Sequence, residues 1–320
     1  MKILFITSTR VGDAILSSGL LARLIADHPD ARITIACGAA AAPLFSAVPN
    51  LERIIVLNKM LYSLHWVAMW STVVGTVWDI VVDLRNTPMS YPLIAKRRYR
   101  FGRKKGPGHR VEQLATVLGL GGRPPDPKVW ISDQARAAAK TLIPDGAPVL
   151  AIGPTANWSA KTWRPGCFVD LIERLAGPGG ILPGARIAVF GRDDERPMAL
   201  RVIESIPEDR RIDLVGRLDL MDVGACLERA AFYVGNDSGL MHLAVAMGVP
   251  TLGLFGPSLE GLYAPWGPQG AVARADKSFD EIFPENFNHR DTDSLMDSLT
   301  VDTVEAAARD LWRRVTEAAA

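Results

Sequence analysis

Short apolar runs alternate with segments of helical periodicity along almost the whole chain, and this alternation narrows the choice of fold more than any other feature. In the first half, Ile3–Thr7, Ile33–Cys37, Ile54–Leu57, Ile80–Leu84 and a shorter Tyr99–Gly102 read as strands. Between the first two, Ala14–Asp27 places Ile15, Leu16, Gly19, Leu20, Arg23 and Leu24 at helical spacing. Strand–helix alternation of this kind predicts a parallel sheet with helices on both faces.

The pattern breaks once. Gly119–Ser132 and Ile143–Leu150 are rich in Pro and Gly, which marks a change of domain. Afterwards the alternation restarts, with Val149–Ile152, Arg186–Phe190, Ile212–Val215, Phe232–Val234 and Thr251–Phe255 as strands. A helical Val301–Val315 follows, with Thr300 as its N-cap. At 320 residues two domains are expected. We place them at 1–145 and 146–320, with the last helix a candidate to pack back on the first. The expected architecture is two tandem doubly wound α/β domains, with ligand held in the cleft at the carboxyl ends of their strands.

Composition bounds the function. A net charge of +1 excludes a globally polyanion-seeking chain, and 48% hydrophobic residues allow sizeable cores. Cys37, Cys167 and Cys226 are too few and scattered for a disulfide framework or cysteine metal site, and suit a reducing, cytoplasmic compartment. The opening apolar run stops at Thr7, too short for the core of a signal peptide. Residues 60–78 carry only His65 as an ionisable group, so length alone permits a membrane span. Ser63, Ser71, Thr72 and Thr76 interrupt that stretch, and it runs directly into a strand. A helix covering the sheet is the expected form, ahead of an interfacial helix or a span.

Three loops carry candidate chemistry. The first is "GNDSGLMHLAVAMG" (235–248), where a strand turns into a helix. Asn236, Asp237 and Ser238 are good N-cap residues, and Gly239 lets backbone approach a ligand. Such a helix start favours phosphate, although Asp237 or Ser238 acting only as a cap would account for the same residues. A hydrolase elbow is disfavoured, because in Gly-Asn-Asp-Ser-Gly the serine stands one place too late. His242, on the first turn, is placed to face a ligand phosphate.

The second is "STRVGDAIL" (8–16), between the first strand and first helix, with Arg10, Gly12 and Asp13. It has neither the dinucleotide glycine fingerprint nor a P-loop. Asp13 is either a carboxylate favoured by the helix dipole or a base able to take a hydroxyl proton. The third is "GPTANWSAKTWRPGCF" (153–168), with Thr155, Ser159, Lys161 and Thr162 as hydrogen-bonding and cationic groups suited to phosphate.

Together these blocks, with "LFGPS" (254–258) and "YAPWGP" (263–268), resemble the heptosyltransferase-like glycosyltransferases of family 9, which build the inner core of lipopolysaccharide. The resemblance covers nearly the whole chain and is most specific at Asp-Ser-Gly-x-x-His. It implies a GT-B fold, two facing Rossmann-like domains with acceptor on the first and nucleotide-sugar on the second. It also implies an inverting, metal-independent reaction with no cofactor beyond a nucleotide-sugar donor, expected to be ADP-linked. By motif, Asp13 would be the general base and Lys161 would neutralise the leaving diphosphate. Thr155, Ser159, Thr162, Asp237, Ser238, Gly239, Leu240 and His242 would hold the donor. A proline common in the family near Gly19 is missing, and the donor ribose has a carboxylate only at Asp219 or Asp222 in the segment after Leu218.

From Leu84 to Val111 there is no Asp or Glu but there are nine Lys and Arg. Without any nucleic-acid motif, this polarity points to an anionic glycolipid acceptor or the cytoplasmic face of an inner membrane, a solvated basic loop being the plain alternative. Arg10, Gly12, Arg97, Arg98, Arg100, Arg103, Lys104 and Lys105 are the candidate acceptor-binding residues. An epimerase-like nucleotide-sugar enzyme and a silent sugar-nucleotide binder are the competing readings.

Overall fold

The computed structural model describes residues 1–102, 108–277, 281–282 and 293–319. It divides into two compact units, Met1–Ser132 and Asp133–Ala320.

In the first unit the chain runs β1 (Lys2–Ile6), α1 (Val11–Asp27), β2 (Arg32–Cys37), β3 (Leu51–Val56), α2 (His65–Val73), β4 (Trp78–Asp83), β5 (Ala95–Arg100) and α3 (Arg110–Ala115). The five strands are parallel in the order β3-β2-β1-β4-β5. Ile3, Leu4, Phe5 and Ile6 of the central strand are all fully buried, as an uninterrupted apolar strand must be when helices cover both faces. The order reverses between β1 and β4, the point where open α/β sheets bind ligands.

Within residues 60–78 the covering helix is short, α2 (His65–Val73) alone. Met69 and Val73 of α2 pack with Leu4, Ile6, Trp78, Val81 and Leu93, and no described helix is long and apolar enough to cross a membrane. The last strand begins earlier than the sequence suggests. Trp78 pairs with Ala95 and Asp83 with Arg100, so the basic run Lys96–Arg100 is itself an edge strand. The charged side chains disguise a strand that an edge tolerates.

Gly19 lies in the middle of α1, where the segment 125–128 crosses the helix. A Cβ on it would stand 2.4 Å from the Pro125 carbonyl oxygen and 2.6 Å from that of Asp126. The neighbouring Ser18 hydroxyl accepts from Lys128 N at 2.8 Å. This close crossing accounts for glycine at position 19.

The second unit contains α4 (Asp133–Leu142), β6 (Val149–Gly153), α5 (Pro165–Ala176), β7 (Arg186–Val189), α6 (Arg196–Ser205), β8 (Arg211–Asp213), α7 (Leu220–Leu227), β9 (Phe232–Asn236), α8 (Gly239–Ala246), β10 (Thr251–Phe255), α9 (Glu260–Tyr263), β11 (Gly270–Arg274) and α10 (Val301–Ala319). Its six parallel strands follow the order β11-β10-β9-β6-β7-β8, the Rossmann arrangement, again reversing beside the first strand.

The division falls at Ser132/Asp133 rather than at 145/146. Helix α4 packs on α7 with Ala135 and Ala139 buried, and Arg136 forks onto Glu228 at 2.9 and 3.1 Å. Arg229 closes the same corner on the Ile143 carbonyl at 2.5 Å. Helix α10 packs on α5, β10 and β11 of this unit, burying Val304, Ala308 and Leu311, with Trp312 edge-on to Phe232. The Thr300 hydroxyl accepts from Thr303 N, capping α10 as its sequence predicts.

Candidate functional site

At the reversal point of the second sheet, β6 and β9 end side by side, with Gly153 opposite Gly235. Two loops leave from there. One runs from Pro154 to Trp163, the other is the Asn236–Gly239 turn into α8. The Lys161 ammonium meets the Asp237 carboxylate at 2.5 Å, both largely shielded from solvent. Asn236 Oδ1 accepts from Trp163 N at 3.0 Å. Lysine, aspartate and helix start are thus brought together although they are 76 residues apart.

The cap-only explanation of the turn does not hold. Asp237 is committed to Lys161, and Ser238, which occupies the N-cap, makes no side-chain capping bond. The first N–H groups of α8 therefore lack a side-chain acceptor, in a helix start that carries partial positive charge. The Asn236 Nδ2 is buried with no hydrogen-bond partner, a costly state for an amide donor.

Beneath the turn lies Tyr233, fully buried on β9. A Cβ on Gly153 would come within 2.0 Å of its hydroxyl and one on Gly235 within 2.4 Å, so the ring requires glycine at both. Burial raises the Tyr233 phenol far above its usual range, against the weaker pull of the Ser238 hydroxyl.

The 154–163 loop is also strapped from its outer side. Trp163 is buried edge-on to Phe168 and donates its indole N–H to Leu299 O at 2.8 Å. Leu295 N donates to Ala160 O at 3.0 Å, and the Ser294 hydroxyl to Thr162 O at 2.7 Å. Arg164 pairs with both Asp293 and Asp297.

The remaining expected donor residues are distributed around this centre. Ser159 is exposed on the loop, and Thr162 is nearly buried beside Trp158 O. Thr155 is buried and donates to Glu195 Oε2 at 2.8 Å, which ties the loop to the Arg192–Glu195 turn. Gly239 and Leu240 are partly exposed on the first turn of α8. His242 is buried, its ring edge-on to Tyr263 at 6.4 Å between centroids. Asp219, one of the two carboxylates considered for ribose, caps α7 by accepting from Met221 N and Asp222 N on its Oδ1. Burial, then the charge of Asp219, raises the Asp222 carboxyl.

At the reversal point of the first sheet, Arg10 is exposed at the N-cap of α1, while Gly12 and Asp13 are half-exposed in its first turn. Next to β1, Asp83 ends β4 fully buried and organises the following loop. It accepts from Arg85 N at 2.9 Å, Thr87 N at 2.8 Å and the Ser90 hydroxyl at 2.7 Å, with Arg100 at 3.6 Å. Arg100 donates to Thr87 O and stacks on the exposed Tyr91 ring at 3.5 Å, and Arg98 donates to Leu93 O at 2.6 Å. These two arginines brace the loop, whereas Arg97 is exposed to solvent. Arg103, Lys104 and Lys105 lie outside the described residues. Among the described residues no three His, Cys, Asp or Glu gather as a metal site.

Two parallel α/β units, the second with a lysine and an uncapped helix start at its reversal point, place the chain in the GT-B class of folds. Residues 109–282, more than half the chain, match the model of glycosyltransferase family 9 (heptosyltransferase), and the chain belongs to that family. It is a glycosyltransferase of heptosyltransferase type. Lipooligosaccharide heptosyltransferase 2 of Haemophilus influenzae is 23% identical over 86% of this chain and 88% of its own length. The family 9 glycosyltransferase of Veillonella parvula superposes with a TM-score of 0.78 at 20% identity, covering 98% of this chain and 97% of that one. The Escherichia coli ADP-heptose lps heptosyltransferase II gives 0.74, again at 20%, covering 99% of this chain and all (100%) of that one.

Proposed function

We propose that this enzyme moves a heptose from ADP-heptose to an anionic lipopolysaccharide-type inner-core acceptor, with inversion at the anomeric carbon and no metal. The observation that carries this reading is the α8 start, where Lys161 and free backbone N–H groups converge while the serine at the N-cap does not cap. That is a receptor for a diphosphate. The names of the relatives supply the sugar and nucleotide.

In this reading the acceptor hydroxyl attacks the anomeric carbon opposite the leaving group, and Asp13 takes its proton. The anomeric carbon–oxygen bond breaks and ADP departs with the electron pair. Lys161 and the N–H groups of Ser238, Gly239 and Leu240 receive the charge that develops on the diphosphate, a preorganised electrostatic contribution. Asp237 aims Lys161, and Ser159, Thr162 and His242 complete the donor wall, with Thr155 bracing it through Glu195. Arg10, Gly12 and the basic strand β5 serve the acceptor and give the enzyme peripheral contact with an anionic membrane face.

The test pairs two variants. Asp13→Asn should lower transfer at least about a hundredfold with ADP affinity by calorimetry unchanged. Lys161→Ala should weaken ADP binding and lower transfer by about a hundred- to a thousandfold. Near-normal transfer by Asp13→Asn would remove it as base. Turnover of ADP-heptose that is indifferent to acceptor would replace transfer with a donor-only reaction.

A further inference from the structure

We infer that residues 60–67 are a bilayer-inserting segment that seats the amino-terminal unit on an anionic membrane surface, an assignment resting on the reading that the acceptor is a membrane glycolipid. Among the described residues, thirteen large apolar side chains are exposed, and nine of them fall between Val56 and Ile94. They are therefore clustered in sequence, unlike the scattered exposed apolar residues of an ordinary surface. The densest stretch is Met60, Leu61, Tyr62, Leu64 and Val67, where Leu61 is 81% and Tyr62 94% exposed. Here α2 shows two distinct sides. Met69 and Val73 are held in the core, while Val67 and the turn before the helix project outward. Tyr62 and Ser63 both hold left-handed backbone angles, φ 51° and 59°, a costly choice for non-glycine residues.

Charge identifies the occupant. Between Arg53 and Arg110 the sequence has eleven Lys and Arg against two carboxylates, Asp79 and Asp83. Each carboxylate is spent on a single base, Asp79 on Lys96 and Asp83 on Arg100, which leaves the other bases in excess. Asp79 is paired with Lys96 at 2.6 Å and accepts from Lys2 N, and Asp83 is fully buried. Lys59 is exposed directly beside Met60, and Arg97 projects from the edge strand. The turn Pro88–Ser90 packs on α2, which brings the exposed Tyr91 and its stacked Arg100 alongside. A second copy of the same face would meet like charge, whereas an anionic bilayer offers both an apolar interior for Leu61 and Tyr62 and phosphates for the bases.

The experiment uses the full chain and co-sedimentation with vesicles of phosphatidylcholine plus phosphatidylglycerol, or phosphatidylcholine alone. The wild type should partition to the anionic vesicles, and less so as salt rises. The double variant L61D/Y62D should partition about tenfold more weakly or worse, with its thermal unfolding unchanged. It should transfer normally to a delipidated, water-soluble acceptor. Equal partitioning of variant and wild type would overturn the assignment, as would self-association of the wild type, by sedimentation velocity, that the variant abolishes without any vesicle binding. Vesicle binding with no transfer to any acceptor would instead withdraw the glycolipid reading and leave the segment standing.

Discussion

Asp83 shows how one buried side chain sets the shape of a loop at the reversal point of the first sheet. Burial raises its carboxyl above the usual range, opposed by the Ser90 hydroxyl, the Arg85 N–H, the Arg100 charge and the Thr87 N–H. Because the folded value lies above the unfolded one, the stability from this group is complete below about pH 3.9 and is lost as pH rises through the higher folded value. Asp83→Asn should cost about 1–3 kcal/mol, since its amide cannot accept all of these donors. The gap to wild type in urea unfolding should narrow from pH 4 toward pH 7. Legibility at this scale was uneven. Asp237 and Lys161 could be picked out because charged groups beside a Gly-rich helix start are unusual. Arg98 and Arg100 could not be told from Arg97, because exposure and loop bracing are set by cross-strand partners. Tyr233 read as an ordinary strand residue, and only three dimensions show that it dictates glycine at two other positions.

Among the elements, those with apolar interiors were readable and those at the margins were not. Strands β1, β2, β4, β6, β9 and β10 announced themselves through runs such as Ile3–Ile6, which full burial requires. Strand β11 was missed, because Gly270–Arg274 is only partly buried at a sheet edge and lacks that signature. Strand β5 was shortened for the complementary reason, its bases concealing its extended backbone. Within α1 the sequence marked Gly19 as part of an apolar stripe but could not disclose the chain crossing it. Since a Cβ would meet the fixed Pro125 and Asp126 carbonyls, Gly19→Ala should destabilise by about 1–3 kcal/mol in denaturant unfolding despite better helix propensity. A neutral or stabilising result would mean that the crossing segment yields.

For the whole molecule, the composition break located two domains but placed the boundary thirteen residues late. Pro and Gly mark the loops on either side of α4 equally, and only packing on α7 decides which unit owns the helix. A fragment 133–320 should therefore fold alone and gain about 2.7 kcal/mol from ADP at a hundred times its Kd. A fragment 146–320, deprived of Ala135, Ala139 and Ile143 against α7, should be weaker by roughly 3 kcal/mol. Circular dichroism melts of the two, with and without ADP, decide the matter; equal stability would return α4 to the first unit. The strap across the 154–163 loop has a consequence in time. Ala160, Thr162 and Trp163 are fastened by residues 294, 295 and 299, so the nascent chain emerging from the ribosome carries its key lysine long before that lysine is secured. A polypeptide released prematurely, short of residue 293, would possess every residue of the proposed diphosphate receptor and still lack its clasp, so that on the proposed reading incomplete translation products should bind the sugar nucleotide poorly.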